Sequence, residues 1–201
     1  TKGDVIAAAE RIFRGTANRF VGSHPMAGSE KTGWEAARAD LYEGAIVVVV
    51  PPEDPAAAPA VKRVERLWMD VGARIARMTA REHDDGVART SHLPHLFSAV
   101  LVHTVARAGT ESLRALCGPG FRDTSRLADG SPEIWHDIVL TNRTAIAAEW
   151  RALRDEVDRL MARLEAGDGA PVREYLESAR RLREALLRGT PGGDPSAKGE
   201  G

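Results

Sequence analysis

A single cysteine, Cys117, leaves this chain without an internal disulfide framework, which fits a reducing compartment. The residue reads as a small side chain in a packed helix rather than a reactive thiol. Long apolar runs are also missing: the strongest, residues 45–50, is far too short to span a bilayer, and no charged-then-apolar signal opens the sequence. The expectation is a soluble, cytoplasmic protein. Aromatic residues make up only 5%, while Ala, Leu, Val and Arg abound, a mixture that favours helix because unbranched side chains lose little rotamer freedom there. Excess charge is absent too. With 28 basic and 29 acidic residues the net charge is -1, so no global basic field exists to hold a nucleic acid or an anionic membrane, and any anion must be captured locally. Lysine is confined to Lys2, Lys31, Lys62 and Lys198, the other basic residues being arginine. No tandem repeat is evident.

What is present is enough hydrophobic residue, 43% of 201, to bury a substantial core in one or two domains. Residues 4–14 place Val5, Ile6, Ala9, Ile12 and Phe13 on one helical face. Residues 19–22 read as a short strand, residues 32–41 as a loop or short helix, and residues 45–50 as a β-branched strand buried on both faces. That order is a piece of an α/β sheet domain. Proline-dense residues 51–59 read as a linker or domain edge. Beyond them, residues 61–71 carry helical periodicity closed by Gly72, and residues 73–78 fit a short strand. The pattern is then helical from residue 79 or 80 to about 108, with Pro94 bending or interrupting it.

Residues 110–116 read as a short helix and residues 121–130 as a polar loop. A long helix begins at Ser131-Pro132-Glu133, with a suitable cap and proline in its first turn. Its seam of Ile146, Trp150, Leu153, Val157, Leu160 or Met161, and Leu164 is of the kind that packs against another helix, in the same chain or a partner. After the turn at residues 167–169, residues 171–188 form a last amphipathic helix. Residues 189–201 bury nothing and are expected to be disordered.

Three clusters carry groups suited to chemistry. The first is Ser23, His24, Ser29 and Glu30, at the end of a predicted strand where open α/β sheets put ligands. An imidazole there accepts a proton at neutral pH, and Pro25 fixes the backbone before it. A hydrogen-bonded turn histidine is the plainer reading. The second is His92 and His95 around Pro94, with His83 and Asp84 upstream. A His-x-x-His pair shares a helix face and suits a metal, but Pro94 distorts the spacing and no glutamate adjoins it, so hydrogen bonding to an oxygen-rich ligand is favoured over a metal site. The third is Arg122, Asp123 and Arg126. A guanidinium forks onto a carboxylate and so anchors an acidic small molecule, the plainer reading being a surface salt-bridge loop.

Together and in this order, GSHPMAGSEKTGW, EHDDGVARTSHLPH and GFRDTSRLADGSPEIW resemble the prephenate and arogenate dehydrogenase family of tyrosine biosynthesis over residues 1–188. The resemblance implies a mainly helical chain: the C-terminal piece of a Rossmann-like dinucleotide-binding domain at residues 1–54, a helical substrate-binding and dimerising domain at 55–188, and a tail. It implies oxidative decarboxylation of prephenate or arogenate with NAD or NADP, in a homodimer. Residue by residue, His24 matches the catalytic histidine, Arg126 the arginine gripping a substrate carboxylate, Glu30 an acidic residue associated with that arginine, and His95 a substrate-contacting histidine. Ser23, His92, Arg122, Asp123 and Trp135 lie in matching motifs with supporting roles. Lys2, Pro25 and Met26 are expected beside the cofactor.

One departure matters. The Gly-x-Gly-x-x-Gly turn that seats a pyrophosphate occurs nowhere in the chain. The nucleotide-binding half is therefore expected to precede Thr1, and the chain alone to be inactive. A non-catalytic helical dimerisation or ligand-binding module and a histidine-metal hydrolase are the alternatives.

Overall fold

The computed structural model describes residues 1–28, 33–107 and 109–188. Glu30 and the tail at 189–201 lie outside the described residues. Contacts divide the chain into two compact units, Thr1–Trp150 and Arg151–Gly201.

The first unit opens with helix α1 (Lys2–Phe13), followed by strands β1 (Gly22–Pro25) and β2 (Ile46–Val50), helix α2 (Ala58–Asp70) and strand β3 (Arg74–Arg77). The sheet order is β1-β2-β3, with β1 antiparallel and β3 parallel to β2. As its unbroken β-branched sequence requires, β2 is central, and Val47, Val48, Val49 and Val50 are all buried. Val47 and Val49 meet Val61 and Ala73 on one face, where Tyr42 packs edge-on against Trp68 at 5.2 Å. Each fully buried valine contributes about 1.5–3 kcal/mol. Gly22 faces the other side, toward α1. A Cβ there would come within 3.1 Å of Ile6 Cδ1, so the glycine permits close helix–sheet approach.

Two expectations about the sheet need correction. The strand expected at residues 19–22 begins only at Gly22 and runs to Pro25, in register with Val50 to Val47. Proline can end such a strand because the missing N–H is tolerated at a sheet edge, and His24 therefore stands within the strand rather than in a turn after it. Residues 51–59 do not end the sheet layer. Asp54 accepts from the Ala56 amide at 2.9 Å and opens a 3₁₀ turn (Pro55–Ala57) that leads into α2, and β3 then returns to β2. Prolines are accommodated in those first turns because their N–H groups would be unpaired in any case. The boundary expected at residues 54/55 thus falls inside a β2–α2–β3 unit. Arg77 forks onto the buried carboxylate of Glu65, its Nη2 donating to Oε2 at 2.7 Å, and joins the end of β3 to α2.

A capping box between Thr79 and Glu82 starts helix α3 (Ala80–Val87). It continues through a π-helical turn (Ala88–His92) into α4 (Leu93–Ala106), so the interruption expected at Pro94 is taken up just before it. Helices α5 (Glu111–Ala115) and α6 (Pro119–Ser125) and a 3₁₀ turn (Arg126–Asp129) follow. The loop expected at residues 121–130 is instead helical for most of its length, because Pro119 sits in a first turn where its fixed φ suits a helix. Ser131 caps α7 (Pro132–Thr141), which stops at Asn142 before α8 (Arg143–Glu165), so the long helix expected from residue 131 is two.

In the second unit, Gly167 takes φ +70, a left-handed value that glycine adopts at little cost, and Asp168 caps α9 (Gly169–Leu187). Arg163 lies over the Tyr175 ring at 5.4 Å. Apolar side chains Val157, Met161, Leu164, Leu176, Leu182 and Leu186 are exposed. Among the described residues no helix is long and apolar enough to cross a membrane.

Val49 is fully buried between β1 and β3. Val49→Ala should lower unfolding free energy by about 2–3 kcal/mol, read as a reduced urea midpoint at unchanged slope.

Candidate active site

Strand alternation sends the His24 side chain to the α1 face of the sheet, with Gly22, and sends Ser23 and Pro25 to the α2 face with Val49 and Val47. Ser23 is therefore not brought beside His24, contrary to what their adjacency suggested. Across the sheet face stands α3. His24 Nδ1 lies 2.7 Å from His83 Nε2, and His83 Nδ1 lies 2.7 Å from Asp84 Oδ1. The Asp84 carboxylate in turn accepts the first amides of α1, Lys2 N at 2.8 Å on Oδ1 and Gly3 N at 2.9 Å on Oδ2. A Cβ at residue 3 would meet Asp84 Oδ2 at 3.0 Å, which makes Gly3 part of this close approach.

Burial drives the protonation states. It pushes His24 down to about 4, aided by the neighbouring Lys2 ammonium, and it lowers His83 despite Asp84. For Asp84 burial works upward, but the amides of Lys2 and Gly3 and the His83 ring outweigh it and hold the carboxyl below its ordinary value. Lys2 itself is lowered by burial against the opposing pull of Asp84. At neutral pH the cluster is a carboxylate joined to two neutral imidazoles.

The π turn determines what joins them. At 3.6 residues per turn, nine positions make two and a half turns, so a regular helix would point His83 and His92 in opposite directions. A π turn takes an extra residue and rotates the helix after it. His92 is buried, lowered to about 4 chiefly by burial, and its Nδ1 meets Asn142 Nδ2 at 3.1 Å. The same amide nitrogen donates to the Asp84 carbonyl at 2.8 Å. Asn142 thus ties the α7–α8 break to both halves of the histidine helix. Three residues on, His95 stacks on Trp135 at 3.4 Å between ring centroids and 12° between planes, while His92 meets the Trp135 edge. Gly130 makes room for this stack: a Cβ there would fall 2.6 Å from Trp135 Nε1 and 2.8 Å from His95 Cε1. Buried Ser98 accepts the Ala128 amide at 3.1 Å and fixes the turn that carries Arg126 to α4.

Of the residues singled out in the sequence, His24, His92, His95, Trp135 and Lys2 come together here. Arg126, Arg122 and Asp123 are exposed on α6 and the turn after it, and among the described residues none of their side chains makes a hydrogen bond or ion pair. Met26 is exposed just past β1. Among the described residues no group of three or more His, Cys, Asp or Glu is arranged to hold a metal ion. Sequence reasoning assigned no role to Asn142, Gly130 or Ser98. Asn142 left little signal, being one of four consecutive polar residues from Thr141 to Thr144.

Comparison with known proteins agrees with this architecture. Residues 1–77 match the family described as the prephenate dehydrogenase nucleotide-binding domain, and residues 79–178 match the prephenate dehydrogenase dimerization domain. The chain is similar to the prephenate dehydrogenase of Bacillus subtilis, 31% identical over 188 residues, covering 92% of this chain and 50% of the relative. It is also similar to the solved structure of Aquifex aeolicus prephenate dehydrogenase in complex with hydroxyphenyl propionate and NAD+, with TM-score 0.84, 32% identity, and coverage of 92% of this chain and 64% of that one. Synechocystis arogenate dehydrogenase follows at TM-score 0.77 and 26% identity, covering 92% and 66%. The chain spans about half the length of the curated relatives it matches. With two adjoining domains of one enzyme matched in sequence and the same fold found in its solved relatives, the chain belongs to the prephenate dehydrogenase family.

Proposed function

We propose that this chain supplies the proton-accepting and substrate-binding part of an NAD(P)-dependent prephenate dehydrogenase, which converts prephenate to 4-hydroxyphenylpyruvate and carbon dioxide. The observation that carries the reading is His24: a neutral imidazole held through Nδ1 by His83, with no hydrogen bond to its Nε2 among the described residues. NAD(P)+, when bound, accepts the hydride from C4 of the ring. Lys2 and the exposed Met26 fit the reacting end of such a cofactor, whereas this chain contains no glycine-rich cradle for its pyrophosphate. The chain's own residues do the rest. His24 takes the proton of the C4 hydroxyl as hydride departs and returns it to the ring oxygen when the carboxylate leaves as carbon dioxide, so the imidazole ends neutral. Arg126, a free guanidinium among the described residues, forks onto a substrate carboxylate. His92 has Nδ1 engaged by Asn142 and therefore offers an Nε2–H donor, and the His95–Trp135 stack forms an apolar wall. Glu30, Arg122 and Asp123 are assigned supporting roles near Arg126 on motif position alone.

We further assign residues 1–77 to the nucleotide-binding domain and the helices after it to the substrate and dimerisation domain, since the sheet ends with β3. Exposed apolar residues along α8 and α9 support a homodimer.

The test is prephenate-dependent formation of reduced nicotinamide by the complete protein. His24→Asn should lower kcat by about 10²–10⁴ with little change in KM, and Arg126→Ala should act mainly on KM. Activity retained in His24→Asn would refute the assignment. Gly130→Ala should lower kcat/KM by up to about 100-fold, because the added Cβ displaces His95 and Trp135. Stability should also depend on pH. His24 and His92 titrate near 4 when folded and near 6.5 when unfolded, so between these values the unfolded chain binds more protons. Their contribution is complete above pH 6.5 and declines as pH falls toward 4, measurable as a falling urea midpoint.

A further inference from the structure

We infer that His83 and Asp84, anchored to the N-terminus of α1, are positioning residues that fix the tautomer and aim of His24; this rests on the dehydrogenase reading for its catalytic consequence but not for its geometry. The protons can be assigned in sequence. Asp84 is a carboxylate that accepts the amides of Lys2 and Gly3, and a carboxylate has no proton to give. His83 Nδ1, 2.7 Å from Asp84 Oδ1, must therefore carry hydrogen and donate it. A neutral His83 then has a bare Nε2, and this atom lies 2.7 Å from His24 Nδ1. His24 Nδ1 must donate in turn, which leaves His24 Nε2 as the lone-pair atom. Among the described residues nothing hydrogen-bonds that atom.

The arrangement has a further effect once the base is used. When His24 Nε2 takes the hydroxyl proton, the new imidazolium donates through Nδ1 to a His83 already polarised by Asp84, so the positive charge meets an oriented partner without reorganisation. The carboxylate does not need to become protonated for this to work. His83 is only 2% exposed and rests against the sheet, so its ring cannot turn to offer the wrong nitrogen without breaking both bonds. The two rings are held 5.0 Å apart and tilted by 57°, an edge contact set by the hydrogen bond rather than by stacking.

Asp84→Asn discriminates this from a structural role. Three donors converge on Asp84, and an amide offers one oxygen and an NH2 group, so the mutant cannot satisfy all three and His83 is free to accept at Nδ1. His83 would then carry hydrogen on Nε2, and His24 would accept at Nδ1 and hold its own proton on Nε2, the atom that must be bare. Two readouts on the complete protein test this. Long-range ¹H–¹⁵N spectra of the histidine rings should give Nδ1–H His24 in the wild type and a gain of the Nε2–H form in Asp84→Asn. With prephenate as substrate, kcat should fall by about 10²–10⁴ with KM changed little. His83→Gln, whose side-chain oxygen can still accept from His24 Nδ1, should keep the wild-type His24 tautomer and more turnover than His83→Phe. A His24 that stays Nδ1–H in both Asp84→Asn and His83→Phe would overturn the inference, as would equal turnover in His83→Gln and His83→Phe. If the wild type turns over no prephenate, the dehydrogenase reading fails and the ring spectra still decide the inference.

Discussion

The Asp84 carboxylate accepts two backbone amides from one helix and an imidazole N–H from its own, and the arrangement around it depends on this one acceptor. A helix N-terminus carries partial positive charge and amides without intrahelical partners, so a carboxylate is the group that best satisfies it. By docking there Asp84 joins α1 to α3 and leaves the remaining capacity of its Oδ1 for His83. The same contact therefore closes the sheet layer and orients the histidine pair. Structural and chemical demands coincide in a single group, which removes much of the freedom the histidines would otherwise have.

The irregular parts of the helical region serve the same end. Pro94 has no N–H to give to the preceding turn, and a π turn immediately before it absorbs that loss. The rotation this introduces is what lets His83 and His92 belong to one cluster, although nine positions of regular helix would separate them. Asn142 answers from the other side, at the point where α7 yields to α8, by bonding one carbonyl before the π turn and the imidazole of its last residue. Gly130 then admits Trp135 onto His95. These breaks in helical regularity position the histidines.

Much of this was legible in the sequence. The β-branched run at Val47 to Val50 demanded a central strand, Gly72 a left-handed helix terminus, and Ser131-Pro132 a helix start, and each appears where its local chemistry puts it. The motifs pointed to His24, His92, His95 and Trp135 as a group. What could not be read was tertiary in origin. Local pattern put β1 three residues early, because its position is decided by pairing with β2 rather than by its own residues. The proline-dense stretch looked like an end to the domain, because only β3, with its exposed arginines, shows that the chain returns to the sheet. Asp84, exposed in appearance as part of Glu-His-Asp-Asp, gained its meaning only from the Lys2 and Gly3 amides some eighty positions away.

Placing the base on a strand rather than in a loop has a consequence of its own. Side chains on a strand alternate with a period of two, so its aim can take only two values. In the observed register His24 faces α3, while Ser23 and Pro25 face the core under α2. A slip of one position would bury the imidazole among valines and turn a hydroxyl or a pyrrolidine ring toward His83. The opposite face resists that slip, because Gly22 leaves the room that Ile6 of α1 fills and His24 alone meets His83. Close packing of α1 on the strand thus acts as a selector between a chain that has a base and one that has none.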